Sequence, residues 1–421
     1  MRCFARLTLA AFILSIALPT SLFAGEKATS LKVTVAAGKF HRKNTPVRAD
    51  VILPSAWSAT DHVALTDATG KTIAGQLTAP ALLDSVPQAK IAVLWFVLAD
   101  LPAGKTATYN VTLSPGAKLR AGFAWKDTKG EYTDLVHGDR KIARYMYKAY
   151  EDDPKKRDLN NKPFHHLFDP AGNRLVTKGS GGQYTHHQGL YYGFTRCTWD
   201  GGKCNTWYCH EGEHELHKQV SEQTAGPVLA RHRVKIDWND TKGKPFCVED
   251  RELTAFATPG GTLVQWSSSL RSVRGEVTLD GDPQHAGFQF RADNEVAAKR
   301  SKETVYLRPD GRDKPSVTRN WPADKTMTEL PWNTMSFMLG ERRYTAAYLD
   351  SPRNPKPSFY SERPYGRFGS WFGKQTLRED GPPVRITYRI WVQRGEMTGE
   401  QAVALSQDFA TPPKMTVAVK K

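Results

Sequence analysis

Beyond its first residues, this 421-residue sequence has no long apolar run. A membrane-spanning helix needs about 18 or more consecutive apolar residues, and no segment after the N-terminus approaches that length. The N-terminus itself places Arg2 and Arg6 before an apolar run at residues 7–18 and a small-residue cleavage site at residues 22–24. This pattern predicts a signal peptide over residues 1–24. We therefore expect a protein without a membrane span that is periplasmic or secreted.

Several catalytic and nucleotide-binding signatures are also missing. The sequence has no P-loop, no dinucleotide-binding glycine pattern and no GxSxG turn, which argues against phosphate-cofactor and serine-hydrolase chemistry. Residues 214–217 read HELH and lack the HExxH spacing that zinc proteases place on a helix. No internal repeat or low-complexity linker is present.

Cysteine is scarce, with five residues, one of them in the predicted signal peptide. The Asp-Gly pair at residues 200–201 predicts a two-residue hairpin turn, which places Cys197 opposite Cys204. In an oxidising compartment we expect these two to form one disulfide, and Cys209 with Cys247 a second. The alternative is that all four are free thiols packed as small hydrophobes.

Acidic residues are fewer than basic residues in this sequence. The formal net charge is +16, and +14 once Arg2 and Arg6 leave with the signal peptide. A positive balance attracts polyanions, and an exported protein seldom meets nucleic acid. The expected partner is therefore a polysaccharide or oligosaccharide, acidic in character, or the anionic envelope; a merely solvating surface is the alternative.

Helical periodicity is rare, and short alternating strands separated by Gly, Pro, Asp and Asn fill the sequence. The pattern predicts an all-β protein with a small N-terminal antiparallel β-sandwich over residues 25–119 and a large, supersandwich-like β-sandwich domain over residues 120–421. Short helices are expected at residues 293–302 and 398–409, the second opened by a Thr398/Gln401 capping box. Residues 349–373 are expected to form a long Pro-rich loop.

The segment from 183 to 220 concentrates polar chemistry around the predicted hairpin, with five histidines, three cysteines and several carboxylates among aromatic residues. Two later clusters, at residues 281–292 and 349–373, combine charge with glycine and aromatic residues. Because buried charge is costly unless it is paired, we expect the three clusters to meet in one cleft of the large domain. The candidate catalytic residues are His186, His187, His217, His285 and Glu213. The candidate substrate-binding residues are Arg291, Asn354, Glu362, Arg363, Tyr365, Arg367 and Trp207.

Some of these assignments have structural alternatives. If His186 and His187 lie on a strand, their side chains point to opposite faces, so only one reaches the cleft. His187, His217 and His285 together would suit a divalent metal with an open position for water, although their spacing does not demand one. Glu362, Arg363 and Arg367 would clamp an acidic substrate, or would form a local salt bridge within their loop.

Three segments carry a family resemblance. HHQGLYYG with the following TW and WYC segments, DPQHAGFQFRA, and the SPRNP and ERPYGRFG segments together resemble a bacterial family of unknown function. That family is common in planctomycetes and Bacteroidetes and was historically labelled methane oxygenase, after particulate methane monooxygenase. The resemblance implies an exported β-sandwich protein and supplies no catalytic residue. The label conflicts with the sequence, because the methane monooxygenase protein behind it is an integral membrane protein.

Two functions fit these observations. The first is an exported carbohydrate-active enzyme, a glycoside hydrolase or lyase, which uses histidine acid–base chemistry with or without a divalent metal ion. The second is a non-catalytic carbohydrate-binding or envelope-associated β-sandwich protein, in which the aromatic residues form a binding platform. Turnover distinguishes the two.

Overall fold

The computed structural model describes residues 29–52, 62–84, 91–114 and 122–419. The predicted signal peptide lies outside these described residues. The N-terminal part of the chain forms six strands: β1 (Thr29–Ala36), β2 (Arg42–Ile52), β3 (His62–Thr66), β4 (Thr72–Thr78), β5 (Ile91–Leu101) and β6 (Thr106–Ser114).

The rest of the described chain is also dominated by strands. They are β7 (Phe123–Thr128), β8 (Tyr132–His137), β9 (Arg140–Met146), β10 (Phe164–Leu167), β11 (Leu190–Phe194), β12 (Arg196–Trp199), β13 (Gly202–Cys204), β14 (His214–Ala225), β15 (Leu229–Asn239), β16 (Pro245–Phe256), β17 (Thr262–Ser272), β18 (Val277–Asp280), β19 (Ala286–Arg291), β20 (Val305–Arg308), β21 (Gly311–Arg312), β22 (Arg319–Asn320), β23 (Trp332–Leu339), β24 (Arg342–Asp350), β25 (Phe359–Arg363), β26 (Arg367–Trp371), β27 (Gln375–Leu377), β28 (Val384–Arg394) and β29 (Lys414–Val419).

The N-terminal strands form one antiparallel sheet in the order β2-β5-β4-β3-β6-β1-β29. The first half of β4 pairs with β3 and its second half with β5, so the sheet folds over a single apolar core. The last strand of the chain, β29, closes this sheet by pairing with β1. We call this unit the N-terminal sheet. The domain boundaries drawn from the sequence stay a prediction.

Two nine-stranded sheets make up the large sandwich. Sheet I has the order β22-β25-β26-β19-β11-β10-β9-β8-β7, and sheet II the order β14-β15-β16-β17-β28-β24-β23-β20-β21. Their facing sides bury one large apolar core, because alternate residues of each strand point to the same side. A four-stranded sheet, β13-β12-β18-β27, lies beside them. The predicted all-β sandwich architecture is confirmed.

The hairpin predicted at residues 200–201 is formed by β12 and β13, and Cys197 lies directly opposite Cys204. The disulfide expectation is wrong for the structure described: Cys197, Cys204, Cys209 and Cys247 are all free thiols. With a two-residue turn, the two opposed cysteines occupy a hydrogen-bonded position of the ladder. The wider strand separation there suits a disulfide poorly.

Helix is confined to short segments: α1 (Arg157–Asn160), α2 (Gly399–Ala410), a π-helical turn (Val296–Arg300) and a 3-10 turn (Ser301–Glu303). The capping box predicted for α2 is present, with Thr398 and Gln401 each accepting from the other's backbone. Across the described ranges, no helix combines the length and apolarity that crossing a bilayer requires.

The expectation of a long loop over residues 349–373 is wrong. β24 continues to Asp350, and β25 and β26 form a tight hairpin inside the segment. Apolar residues alternate with polar ones on both sides of the Pro-Tyr-Gly turn at residues 364–366. That alternation is a strand pattern, which the prolines on either side obscured.

Candidate functional site

The face of sheet I that points away from the core carries a row of polar side chains. On β11, the residues before and after Tyr191 belong to the core, so the Tyr191 side chain lies on the opposite face. Across the neighbouring strands, Tyr191 lies beside Gln289 in β19, and Arg291 lies beside Arg367 in β26. Regular alternation on three adjacent strands thus places a tyrosine, an amide and two guanidinium groups together.

Arg367 is fixed by bonds to its own protein. Its Nη1 donates to Gln289 Oε1 at 2.9 Å, its Nη2 to Ser361 Oγ at 2.9 Å, and its Nε to the Tyr365 hydroxyl at 3.0 Å. The side chain is only 1% exposed. Arg367 is therefore a rigid, buried positive charge in the floor of the site.

The loop between β10 and β11 brings two histidines over this floor. His187 N donates to Tyr184 O at 3.0 Å and closes a turn, and the rings of His186 and His187 lie 4.2 Å apart. The expectation that only one of them faces the site is wrong, because both lie in a turn and strand alternation does not apply. Gly189 ends the turn with φ +55°, and a Cβ there would lie 2.3 Å from His165 O, so the close approach to β10 requires glycine.

A second loop, after the β12–β13 hairpin, adds Trp207. Trp207 N donates to Phe194 O at 3.1 Å, which ties this loop to the end of β11. Lys162 donates from Nζ to Trp207 O at 2.6 Å, and Lys178 donates from Nζ to His187 O at 3.0 Å. The two buried lysines hold the two loops in place.

The aromatic and imidazole rings pack against one another. The His187 ring centre lies 5.4 Å from Tyr191 and 5.6 Å from Trp207, and the Tyr191 and Trp207 centres lie 5.1 Å apart. His187 also stacks on Tyr365 at 6.3 Å, and Arg291 Cζ lies 4.9 Å from the centre of the same Tyr365 ring. We call His187, Tyr191, Trp207 and Arg291 the His–Arg cluster.

The His–Arg cluster is where the site's buried polar atoms lack partners. Both ring nitrogens of His187, the Tyr191 hydroxyl, Trp207 Nε1, and Arg291 Nε and Nη2 are buried and have no hydrogen-bond partner among the described residues. Buried polar atoms are normally hydrogen-bonded, and each exception needs an explanation. Six such atoms lie on four residues that pack together directly or through Tyr365, so the cluster is the candidate site for a polar ligand.

His285 and the β25–β26 hairpin form the rim. The His285 ring centre lies 6.1 Å from Trp207 and 6.0 Å from Tyr208, and its Nδ1 lies 3.1 Å from Asp282 Oδ1. Arg363 reaches the same rim by donating to Gln284 Oε1. The structure therefore brings together His186, His187, His285, Trp207, Arg291, Arg363, Tyr365 and Arg367 from the candidate residues.

Burial and positive charge dominate the electrostatics. Burial, reinforced by the nearby positive groups, holds the pKa of His187 well below its usual range and lowers that of His186 to about 2. Burial likewise lowers the pKa of Arg291 to about 10 and that of Lys178 to about 8. These directions share one cause: the site is desolvated and already cationic, so a further positive charge is unfavourable.

Two of the candidate catalytic residues lie elsewhere. His217, on edge strand β14, hydrogen-bonds through Nδ1 with the Tyr145 hydroxyl at 3.0 Å and packs with Tyr147, on the opposite side of sheet I from the His–Arg cluster. Glu213 is buried and its Oε2 accepts from Glu211 N. Both residues follow the β12–β13 hairpin in sequence. They lie at or in β14, which belongs to sheet II and not to sheet I.

Asn354 and Glu362 are also absent from the site. The Asn354 side chain bonds Asp350 Oδ1 and the backbone of Thr387. Glu362 points into the sandwich, where its carboxylate accepts from Arg308 at 2.7 Å and Asn333 at 2.9 Å. Strand alternation in β25 explains this separation, because neighbouring Arg363 takes the face toward the site.

The three histidines that would have suited a metal ion, His187, His217 and His285, are not brought together. His217 is separated from His187 and His285 by sheet I, and within the described ranges no group of three or more His, Cys, Asp or Glu side chains is placed to hold a metal ion.

Three residues of the site were not singled out from the sequence. Tyr191 sits among core-type residues and is distinguished only by the face it occupies. Lys162 and Lys178 have the sequence character of ordinary surface lysines. The short apolar segment at residues 175–176 before Lys178 and the glycine-rich segment at residues 179–182 after it are the signal that could have identified Lys178.

Comparison with known proteins places the chain in a family. Residues 132–407 match the model of a family of unknown function, DUF6807, and the chain belongs to this family. The match covers the whole His–Arg cluster. A search of curated proteins finds no match.

Among solved structures, the chain is similar to an alpha-mannosidase from Enterococcus faecalis V583, with 9% identity, a TM-score of 0.45, and coverage of 94% of this chain and 46% of that one. It is similar to a protein in glycosyl hydrolase family 38 from Enterococcus faecalis, with 9% identity, a TM-score of 0.41, and coverage of 94% and 48%. A GalM/aldose epimerase homologue from C. elegans follows at 8% identity and a TM-score of 0.29, with coverage of 66% and 100%. The chain spans about half the length of the two Enterococcus proteins.

Proposed function

We propose that this member of the DUF6807 family is a carbohydrate-active enzyme that performs acid–base chemistry on an acidic sugar at the His–Arg cluster. The observation that carries the proposal is the set of unpartnered buried polar atoms on His187, Tyr191, Trp207 and Arg291. A bound sugar with a carboxylate offers the acceptors and hydroxyls that these atoms lack.

Arg291 is the group that receives the carboxylate. Its Nε and Nη2 are both without protein partners, and two adjacent N–H groups of a guanidinium match the two oxygens of a carboxylate. In Arg367, all three guanidinium nitrogens donate hydrogen bonds to the protein itself. Arg367 therefore contributes fixed positive charge beneath the ligand, while Arg291 makes the direct contact.

His187 is the base. Its lowered pKa keeps the ring neutral at neutral pH, so one ring nitrogen carries a lone pair. A bound carboxylate offsets the charge of Arg291 and Arg367 and raises the pKa of His187, which strengthens it as a proton acceptor when substrate is present.

Tyr191 is the acid. Burial raises its pKa well above its usual value, so the hydroxyl is protonated at neutral pH. The hydroxyl has no described hydrogen-bond partner, so its proton is available to a bound ligand. In the elimination that this arrangement favours, His187 takes the proton from the carbon next to the carboxylate and a carbon–carbon double bond forms. The glycosidic carbon–oxygen bond breaks, and Tyr191 protonates the departing oxygen.

Hydrolysis by a pair of carboxylates is less well supported. Glycoside hydrolases of that kind place two carboxyl groups across the scissile bond. In the described part of the chain, no carboxylate hydrogen-bonds to a residue of the His–Arg cluster. Asp282 bonds to His285 at the rim, and Asp158 accepts from Thr185 in the loop between β10 and β11.

The test is a turnover assay on uronate-containing oligosaccharides, with their methyl esters and neutral counterparts as controls. An increase in ultraviolet absorbance reports the unsaturated product of elimination, and new reducing ends without that absorbance report hydrolysis. His187→Gln and Tyr191→Phe are expected to abolish turnover while binding persists. Binding without turnover on the whole panel would instead favour a carbohydrate-binding protein.

We also propose that the protein acts outside the cytoplasm. The sequence pattern of residues 1–24 supports this location, as does a substrate class found on surfaces and in extracellular matter. Cell fractionation with sequencing of the mature N-terminus tests it, and a full-length N-terminus in the cytosol would contradict it.

A further inference from the structure

A second concave region lies between the N-terminal sheet and the outer face of sheet II. We call it the basic cleft. Its volume of about 620 Å³ falls within the roughly 300–1,000 Å³ of small-molecule sites. Five arginines line it: Arg48, Arg231, Arg353, Arg385 and Arg389. The His–Arg cluster lies on the outer face of sheet I, so the two regions are on opposite sides of the sandwich.

Hydrogen bonds fix the two walls of the basic cleft relative to one another. Arg231 donates from Nη1 to Ala79 O at 2.9 Å, and Glu252 accepts from Leu82 N at 2.9 Å. The Gln76 side chain accepts from Leu229 N at 2.9 Å. These bonds join the N-terminal sheet to strands of sheet II, so the cleft is formed before any ligand binds.

The cleft has an excess of positive charge. Arg48 is bonded to Asp84, and Arg231 lies 3.5 Å from both Glu222 and Glu252. In contrast, Arg353, Arg385 and Arg389 form no salt bridge with any described residue. Three guanidinium groups without an ion-pair partner therefore face one cleft, although Asp408 lies close enough to Arg389 to attract it and Asp50 also lines the cleft, where it is bonded to Arg48.

Arg389 is the most informative of the three. It is buried between aromatic rings, with Cζ 5.5 Å from the Phe256 centre and 4.8 Å from the Phe409 centre. Its Nε donates to Gln265 at 3.0 Å, and its other two nitrogens have no described protein partner. Desolvating an unpaired charge is unfavourable, and an anion in the cleft would offset that penalty.

The floor of the cleft is polar. Thr254, Gln265, Ser267 and Thr387 line it, and Ser267 Oγ donates to Thr387 Oγ1 at 2.9 Å. Hydroxyl and amide groups beside aromatic edges suit a ligand rich in hydroxyls.

We propose that the basic cleft is a second binding site, specific for an anionic oligosaccharide, whose carboxylate or sulfate groups are held by Arg353, Arg385 and Arg389. This site is separate from the proposed catalytic site and does not depend on it. It would hold a second stretch of an acidic polysaccharide, or another chain, while the opposite face of the sandwich acts on its substrate.

Calorimetric titration tests the proposal with three probes: an oligogalacturonate, a sulfated oligosaccharide and inorganic phosphate. The fully methyl-esterified oligogalacturonate serves as the neutral control. The protein is studied as His187→Gln/Arg291→Met, so that neither turnover nor binding at the catalytic site interferes. Removing the two exposed arginines in Arg353→Ala/Arg385→Ala is expected to weaken binding of the anionic oligosaccharide about tenfold or more, because two charge-assisted contacts to its anionic groups are lost.

The matched control is Lys242→Ala/Lys244→Ala, which removes two exposed charges at the far end of the β15–β16 hairpin. This control should leave the affinity unchanged. Equal affinity for the methyl ester, equal loss in the lysine control, or binding of phosphate alone would overturn the assignment. Turnover that persists without any binding at the cleft would overturn this inference and leave the proposed function intact.

Discussion

Arg291 lies with its guanidinium carbon 4.9 Å from the centre of the Tyr365 ring and donates a hydrogen bond from Nη1 to the Tyr365 backbone carbonyl. One face of the guanidinium is thus held by an aromatic ring, while Nε and Nη2 have no described partner. Arg251 is equally buried but is bonded to two carboxylates, Glu249 at 2.8 Å and Glu215 at 3.0 Å. The protein therefore contains two buried arginines with opposite environments.

This contrast predicts opposite effects on stability. Arg251→Met leaves two buried carboxylates uncompensated and should lower the free energy of unfolding by about 3–5 kcal/mol. Arg291→Met removes a charge that has no carboxylate partner and should change the free energy of unfolding by less than about 1 kcal/mol, or increase it, while activity is lost. Urea unfolding of both variants measures this. A large destabilisation by Arg291→Met would show that Arg291 is structural.

His187→Gln should reduce kcat by about 10²–10⁴-fold, the usual contribution of a general base, with little change in KM. Glutamine keeps the volume and polarity of the side chain but accepts no proton. His41→Gln is the matched control and should have wild-type kinetics, because His41 is an exposed histidine beside the N-terminal sheet. A loss confined to KM would make His187 a binding residue.

Stability should fall as the pH drops below about 6.5, the unperturbed pKa of histidine. Burial lowers the pKa of eight histidines, most strongly in His165, His166, His186, His187 and His232, and less in His137, His214 and His217. Between their folded and unfolded pKa values the unfolded chain binds more protons, so acidification favours unfolding, by about 1.4 kcal/mol per pH unit for each proton.

Three carboxyls act in the opposite direction. Burial raises the pKa of Glu215 and Glu362 to about 7 and also raises that of Glu222, so their contribution is present at low pH and is lost as the pH rises through the folded pKa. Eight imidazoles outweigh three carboxyls, which places the maximum of stability near neutral pH. Urea midpoints measured from about pH 5 to pH 8 test the sign, and a maximum at the acidic end of that range would contradict it.

Gly287→Ala should be among the most damaging single substitutions in the site region. Gly287 has φ +81°, and a Cβ there would lie 2.0 Å from Ser370 O on the paired strand β26. Backbone strain and overpacking together should cost about 3 kcal/mol or more. Gly243→Ala is the matched control, because Gly243 has φ +70° with open space around it and loses only the strain contribution. If both substitutions lower the thermal unfolding temperature by the same amount, the contact with Ser370 contributes nothing and the prediction is wrong.

Local patterns predicted much of this fold from the sequence. Asp-Gly at residues 200–201 sets both the turn and the pairing of Cys197 with Cys204, and Thr398 with Gln401 caps α2. Both signals depend only on residues a few positions apart. The sequence also predicted that polar clusters meet, because buried charged groups are unfavourable unless they pair with one another or face water.

The membership of the site was harder to predict because it depends on single-residue alternation and on turns. One step along β25 separates Arg363 at the rim from Glu362 inside the sandwich, and one step along β11 separates Tyr191 from the core residue Tyr192. His186 and His187 share the site only because glycines of positive φ, such as Gly182 and Gly189, replace a strand with a turn. Sequence periodicity does not specify which face a strand presents until its partners are known.

The pairing of β29 with β1 has a consequence for the order in which the protein is assembled. Residues Leu31 to Ala36 hydrogen-bond with Lys414 to Val419, so β1 leaves the ribosome long before the strand that completes its edge of the sheet. Contacts of such long sequence separation slow folding. The other strands of the N-terminal sheet are synthesised soon after β1, yet β29 joins the sheet only after the strands of the large sandwich have been made, and until then the unpaired edge of β1 is open to the wrong partner.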